Sequence, residues 1–400
     1  MQALYNPITQ NQTGMLQGIV DRCREQEADE LCHYINLKRK VKVERKPELI
    51  GAVVITPAGY RCNLACDYCF NRAGSSKSNP AVMNQELLER VIQQVLSTSE
   101  NPEFIWHGGE PLLAGMDFYK NALRLQEKYG LPLTQARNAI QTNGTLLDES
   151  WAAFLKENHF EIGLSLDGPE KLHDAQRKYP SRQGSFRQVM QAVANLNREK
   201  KSFGIAATIT GEKLCSPEEL PAFFIGHRFF RISINPALNR SGLTVSAYAE
   251  YMCRLFDAWL NSNEPELQIS LFDGLFRAFR KMPLNICWWN GHCPRIIRID
   301  QAGDVWPCCD RYLPYTQYKL GNIRQKNLQE ILTGVIYSNF RENFANLPLR
   351  CISCKWSHIC KGGCAYHRII NGQGEDGGDH LCEAYKQIFH YIFSSFAGLL

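Results

Sequence analysis

The stretch "GAVVITPAGYRCNLACDYCF", residues 51–70, decides the fold. It opens on an apolar, β-branched run that reads as a strand. It continues into a loop carrying Cys62, Cys66 and Cys69. A closed metal site takes four protein ligands, so this one is a ligand short. Zinc sites pair C-x-x-C units into closed tetrahedral sets, and no fourth ligand stands nearby at such a spacing. A C-x-x-x-C-x-x-C run, with Tyr68 before the last cysteine and Phe70 after it, fits a [4Fe–4S] cluster with one iron left open.

Outward from this stretch, residues 51–262 repeat one unit: a short apolar run, a loop, a helical segment. The strand candidates are 51–56, 103–106, 137–142, 160–166, 203–210 and 229–235, and "NQELLERVIQQVL" (84–96) and residues 184–199 carry helical periodicity. Six such alternations predict an α/β fold, a parallel sheet with right-handed crossovers curled into a partial (β/α)6 TIM-like barrel. Chemistry in barrels sits at the C-terminal ends of strands. The polar punctuation stands there: "HGGEP" after 106, "NGT" after 142 and "DGP" after 166.

Past residue 280 the pattern breaks into short pieces interrupted by Pro, Gly and Cys. The division expected is an N-terminal extension (1–50), a barrel (51–265), a smaller metal-bearing domain (266–382) and a C-terminal amphipathic helix (383–400) that packs back on the body. Within 1–50, six Lys and Arg crowd residues 38–46. They read as a solvated lead-in or as an edge strand, with Val41 and Val43 on one face, pairing with an acidic peptide. The net charge of +5 over 400 residues is too thinly spread to imply nucleic acid. No signal-peptide pattern and no apolar run of ~20 residues stands in the chain, so a cytoplasmic place away from membranes is expected. Sixteen cysteines would be many for a cytosolic chain that used them in disulfides. They cluster at 62–69, 287–309 and 351–382, which reads as metal ligation.

With these motifs the chain resembles the radical S-adenosylmethionine (SAM) enzymes, from about residue 51 to its end. The resemblance implies that SAM chelates the open iron of the cluster on Cys62, Cys66 and Cys69. Reductive cleavage of SAM then supplies a 5′-deoxyadenosyl radical that takes hydrogen from a substrate. By the same likeness Gly108 and Gly109 let the backbone approach SAM, and Glu110 accepts from its ammonium. Ser165 and Arg177 of "SLDGPEKLHDAQR" hold its carboxylate and ribose. Tyr68 stands near the adenine. Asn143 touches the ribose, or simply forms an Asn-Gly turn.

"CISCKWSHICKGGC" (351–364) with Cys382 resembles the SPASM extension of the same superfamily. The likeness implies two further closed [4Fe–4S] clusters, one on Cys287, Cys293, Cys308 and Cys364, the other on Cys351, Cys354, Cys360 and Cys382. Cys308 and Cys309 compete for one position, and the family pattern, with its ligand directly after the proline, favours Cys308. A closed zinc ribbon is the alternative for 351–382.

The resemblance further implies a peptide or protein substrate and an external electron donor of flavodoxin or ferredoxin type. The reading favoured from sequence is a maturase that crosslinks a leader-bearing, ribosomally made peptide, forming a carbon–carbon cyclophane or else a thioether. The second reading is an anaerobic sulfatase-maturating enzyme, which makes formylglycine from Cys or Ser. That chemistry implies a base aspartate near the sixth strand, and "FFRISINPALNRSG" (229–242) holds no acidic residue. Asp300, Asp304 and Asp310 are the weaker candidate bases. From another class, an iron–sulfur electron-transfer or scaffold protein would leave the open cluster unexplained.

Overall fold

A computed structural model describes residues 50–73, 82–99, 101–132, 135–211, 215–237, 242–282, 284, 286–289, 295–308, 315–370 and 377–396, with Met15, Gln17 and Gly18 ahead of them. Seven strands are supplied before residue 270: β1 (Ala52–Thr56), β2 (Glu103–Trp106), β3 (Arg137–Thr142), β4 (Glu161–Ser165), β5 (Gly204–Ile209), β6 (Arg231–Pro236) and β7 (Gln268–Ile269). Each pairs in parallel with the next. Among the described residues from Gln85 to Phe279, eight α-helices accompany them: α1 (Gln85–Thr98), α2 (Met116–Lys128), α3 (Glu149–Glu157), α4 (Glu170–Gln176), α5 (Phe186–Arg198), α6 (Glu219–Gly226), α7 (Val245–Asn261) and α8 (Ser270–Phe279). The fold is the expected α/β partial barrel.

Alternation in the strands creates the site. Along β3 to β6 one face is aliphatic and buried: Ile140, Ile162, Leu164, Ile205, Ala207, Ile232 and Ile234 pack under the helices. The opposite face carries Ala139, Gln141, Gly163, Ser165, Ala206, Thr208, Ser233 and Asn235, all half-buried. Small and polar side chains cannot fill a barrel interior, so the concave face keeps room for a guest.

The sheet does not stop at the barrel. Strand β8 (Ile296–Asp300) runs parallel to β1 on its free side, with Ala52 opposite Ile296 and Thr56 opposite Asp300. Strands β9 (Asp304–Pro307) and β10 (Gly321–Asn322) follow antiparallel. The result is one ten-stranded sheet in the order β10-β9-β8-β1-β2-β3-β4-β5-β6-β7. With neighbours on both sides, all five residues of β1 are buried. The sheet thus crosses the boundary at 265/266 that the sequence pattern suggested, at both edges.

The C-terminal part adds short helices, α9 (Leu328–Thr333), α10 (Val335–Ala345), α11 (Ser357–Cys360) and α12 (Ala365–Ile370), before α13 (Cys382–Phe396). As its amphipathic pattern demands, α13 lies on the body: Ile388, Phe389 and Ile392 are buried, and the Tyr391 hydroxyl donates to Asp257 of α7 at 2.6 Å. Of residues 1–49, Met15 is buried in the apolar cluster around β4–β6. The basic run at 38–46, with Val41 and Val43, lies outside the described residues.

Candidate active site

The loop after β1 is pinned from three sides. From the β2 side, Gly109 N–H donates to Gly59 O and Glu110 N–H to Arg61 O, both at 2.8 Å. A Cβ on Gly109 would stand 2.1 Å from Arg61 O, and Gly108 has φ +112°. These glycines are needed because one loop packs on another, whatever they also offer SAM. From the β3 side, the Asn143 amide donates to Asn63 Oδ1 at 2.9 Å and to Cys62 Sγ at 3.6 Å. From the β4 side, Ala65 N–H donates to Lys178 O and Asp67 N–H to Gln176 O.

Glu110 is fully buried and already engaged. Its Oε1 accepts from Leu112 N–H (3.0 Å) and the Thr142 hydroxyl (2.7 Å), and its Oε2 from Asn143 N–H (2.8 Å). Burial pushes its carboxyl up from the ordinary range, while these donors pull it back. Any ammonium it receives shares Oε2, so Glu110 is at least a brace between the ends of β2 and β3. Asn143 caps its own turn, accepting from Thr145 N–H and hydroxyl.

Ser165 ends β4 and accepts from the Gln141 amide at 3.1 Å. Arg177 is buried, and its Nε donates to Asp167 Oδ2 at 2.9 Å. Tyr68 donates its hydroxyl to the same oxygen at 2.7 Å and lays its ring 5.4 Å from the guanidinium. Asp167 Oδ1 takes Thr208 N–H at 2.9 Å. One carboxylate therefore fixes two of the residues expected at the SAM site, Tyr68 and Arg177. Burial pushes the Cys66 thiol up to about 11, with the Arg177 guanidinium acting the other way.

Behind this cluster, His173 is fully buried. Its Nδ1 accepts from Asp167 N–H (3.3 Å), and its Nε2 lies 3.0 Å from Ser185 Oγ, whose own hydrogen goes to Arg177 O. These roles require the neutral Nε2–H tautomer, and burial lowers its pKa to about 4. Sequence reasoning passed over Asp167 and His173. The signal for Asp167 was its place two residues beyond Ser165, at the mouth of the barrel.

Cys351, Cys354, Cys360 and Cys382 line one cavity together with Trp356, Tyr385 and Asp379. Four thiols around a shared space suit a four-iron cluster, and the neighbouring thiols help burial push Cys360 up to about 12. Lys361, Gly362 and Gly363 all have positive φ, turning the chain between Cys360 and Cys364. Asp379 fixes that turn by accepting from Cys364 N–H at 2.7 Å. Cys308 and Cys364 are buried in the larger core, and Cys287 is exposed. Trp288, beside Cys287, lies 6.1 Å from His367, which joins the 287 segment to the 364 segment. Cys293 and Cys309 lie outside the described residues. Cys308 N–H donates to Ile296 O, at the start of β8. It therefore stands at the end of the sheet opposite the Cys62 loop, roughly 15 Å of strand away.

The candidate bases divide. Asp300 is buried, and its Oδ1 caps the β8–β9 turn by accepting from Ala302 N–H and Asp304 N–H, both at 3.0 Å. Asp304 holds Lys319 (2.7 Å) and the Asn322 amide (2.6 Å). Asp310 lies outside the described residues. Cys215 and Cys253, left over by the ligand assignment, are buried in the apolar core.

Three cysteines at the mouth of a partial barrel, and a cysteine-lined cavity beyond it, define a radical SAM enzyme with auxiliary iron–sulfur sites. The model of the radical SAM superfamily matches residues 56–223, and that of the SPASM iron–sulfur cluster-binding domain matches residues 287–355. The chain is 32% identical over 359 residues to the cysteine-type anaerobic sulfatase-maturating enzyme of Clostridium perfringens, spanning 86% of this chain and 96% of that one. It is 31% identical over 370 residues to the serine-type enzyme of Bacteroides thetaiotaomicron, spanning 85% and 89%. The solved structure of native anSMEcpe with bound AdoMet and Cp18Cys peptide superposes with a TM-score of 0.77 at 30% identity, over 87% of this chain and 98% of that one. The chain belongs to the family of the anaerobic sulfatase-maturating enzymes, and its cofactors are [4Fe–4S] clusters and SAM.

These findings overturn the crosslinking function expected from sequence. That expectation leaned on the missing acid of β6, and β6 indeed has none. A base need not come from β6. Strand β8 extends the sheet beside β1 and sets Asp300 opposite Thr56, at the end of β1 that leads into the Cys62 loop.

Proposed function

We propose that the protein is a sulfatase maturase: it oxidises a Cys or Ser side chain of a sulfatase precursor to formylglycine. The similarity over nearly the whole length of both cysteine-type and serine-type enzymes carries this reading. The substrate would be an extended peptide, as the peptide-bound relative suggests, entering the concave face whose small residues leave it room.

Bound at the mouth, the cluster and SAM supply a radical able to take hydrogen from an unactivated C–H bond. Cys62, Cys66 and Cys69 would hold the first cluster. Arg177, with Ser165 beside it, would bind SAM's carboxylate and ribose, oriented by Asp167, while Tyr68 closes the adenine side. Cys287, Cys293, Cys308 and Cys364 would hold the second cluster, and Cys351, Cys354, Cys360 and Cys382 the third. The fold uses Asp300 and Asp304 in a turn, so Asp310 is the remaining candidate base. An external one-electron donor completes the reaction, and a cytoplasmic location suits it.

The experiment uses iron-reconstituted protein, SAM, a reductant and a peptide carrying the sulfatase modification sequence, analysed by mass spectrometry. Formylglycine is the expected product, with 5′-deoxyadenosine. An intramolecular loss of two hydrogens with no aldehyde would sink the proposal. Asp310→Asn should still release 5′-deoxyadenosine yet yield little aldehyde.

A further inference from the structure

The cavity of Cys351, Cys354, Cys360 and Cys382 does not end at those cysteines. Through Cys354 and Lys386 it continues into a groove of about 690 Å³ open to solvent. Arg350, Lys355, Lys386 and His390 rim this groove, and Glu383 is the acidic residue there. Glu383 accepts from both Arg350 (3.3 Å) and Lys386 (3.0 Å), so one carboxylate faces two cations. Those cations stay open to solvent, with side chains 40% and 41% exposed. Lys355 is held with its ammonium 4.8 Å from the Trp356 ring. The same turn leaves Leu349 and Ile352 in water, 75% and 67% exposed. Large apolar side chains exposed beside a basic groove, uncovered among the described residues, mark an interaction surface.

We propose that this groove is the docking surface of an acidic one-electron carrier protein of flavodoxin or ferredoxin type. The carrier exchanges one electron with the metal site that the four cysteines build. Positive charge along the rim complements an acidic partner and speeds its encounter. The partly exposed Cys354 at the groove's edge brings a metal ligand to the interface. A small, wet, charged face suits a partner that must leave again after each transfer.

The electron count leaves room for such a partner. The one electron the side chain gives up equals the one that SAM cleavage consumes, so a single carrier can prime the site and shuttle that electron back. To become an aldehyde precursor, the side chain loses one hydrogen atom to the adenosyl radical, then one proton and one electron. The oxidised carrier takes up that electron and, once reduced, can supply the electron that SAM cleavage consumes. The direction of flow rests on the function proposed above, whereas the docking does not.

The test measures binding of an acidic flavodoxin to the full, iron-reconstituted chain without oxygen, at about 50 and 300 mM salt. Lys355→Glu/Lys386→Glu should weaken binding at least tenfold at low salt and abolish most of the salt dependence. Lys355→Gln/Lys386→Gln should fall between, with iron content and EPR signals matching the parent. If charge reversal costs iron, the glutamine pair carries the test alone. Affinity within twofold of the parent would overturn the proposal. So would loss of binding on Lys178→Glu at the barrel mouth instead, or equal binding of an acidic protein without a redox group. Intact binding without formylglycine would count against the maturase reading and leave the docking surface standing.

Discussion

Replacing Asp167 by Leu should destabilise the protein more than replacing Arg177 by Met, although the two share one ion pair. The asymmetry follows from what each change strands. Without Arg177, the Asp167 carboxylate keeps two donors, the Tyr68 hydroxyl and Thr208 N–H. Without Asp167, a guanidinium with a side chain 10% exposed loses its carboxylate. A buried charge left in this way costs about 3–5 kcal/mol, on the order of 5 °C or more in Tm. The double variant Asp167→Leu/Arg177→Met removes the stranded charge and should recover at least ~1.5 kcal/mol. What remains is the loss of acceptors for Tyr68 and Thr208, about 1 kcal/mol each. Denaturant unfolding without SAM of the parent, both single variants and the double variant gives the coupling directly. Additive losses, or a double variant less stable than Asp167→Leu, would refute the reasoning. SAM affinity should fall at least tenfold in each single variant.

Gly109→Ala forces a methyl against the Arg61 carbonyl, so it should cost about 1–3 kcal/mol and weaken both iron retention and SAM binding, read by iron assay and equilibrium dialysis. His173 has its pKa lowered to about 4, so the unfolded chain binds its proton first as pH falls. Its contribution is fully present above about pH 6.5 and declines as pH drops toward 4, by about 3 kcal/mol in all. His173→Gln should flatten the stability slope in that window, seen as unfolding free energies at pH 5 and 7.5 for both proteins. Cys351→Ala/Cys354→Ala should remove about four of some twelve irons while SAM cleavage by the Cys62 site persists. Loss of all iron would contradict separate sites.

Much of this arrangement can be read from the chain. Each of the six strand candidates overlaps a strand within two residues at either end, because period-two alternation with β-branched residues survives any tertiary context. The two-residue strands β7 and β10 are too short to leave a pattern. The hairpin "IIRIDQAGDVWP" (296–307) has the alternation and, at Gly303 with φ +89°, the turn residue. Its pairing with β1 links residues more than 240 apart, which no local signal encodes. At the site, cysteine spacing and loop glycines were legible because only a few residue types can serve there. Asp167, His173 and Asp379 act by holding other residues, through hydrogen bonds that exist only once distant segments meet.

That pairing also bears on how freely pieces of such enzymes can be exchanged. A boundary near residue 265 looks like a place to cut, fuse or transplant the metal-bearing C-terminal segment. Cutting there would strip β1 of β8 and expose the unpaired backbone of "AVVIT", a five-residue run apolar on both faces. An open edge of that composition recruits other chains. A barrel severed at that point would therefore aggregate before it could be tested as a minimal enzyme. Any chimera should keep β8 and β9 with the barrel.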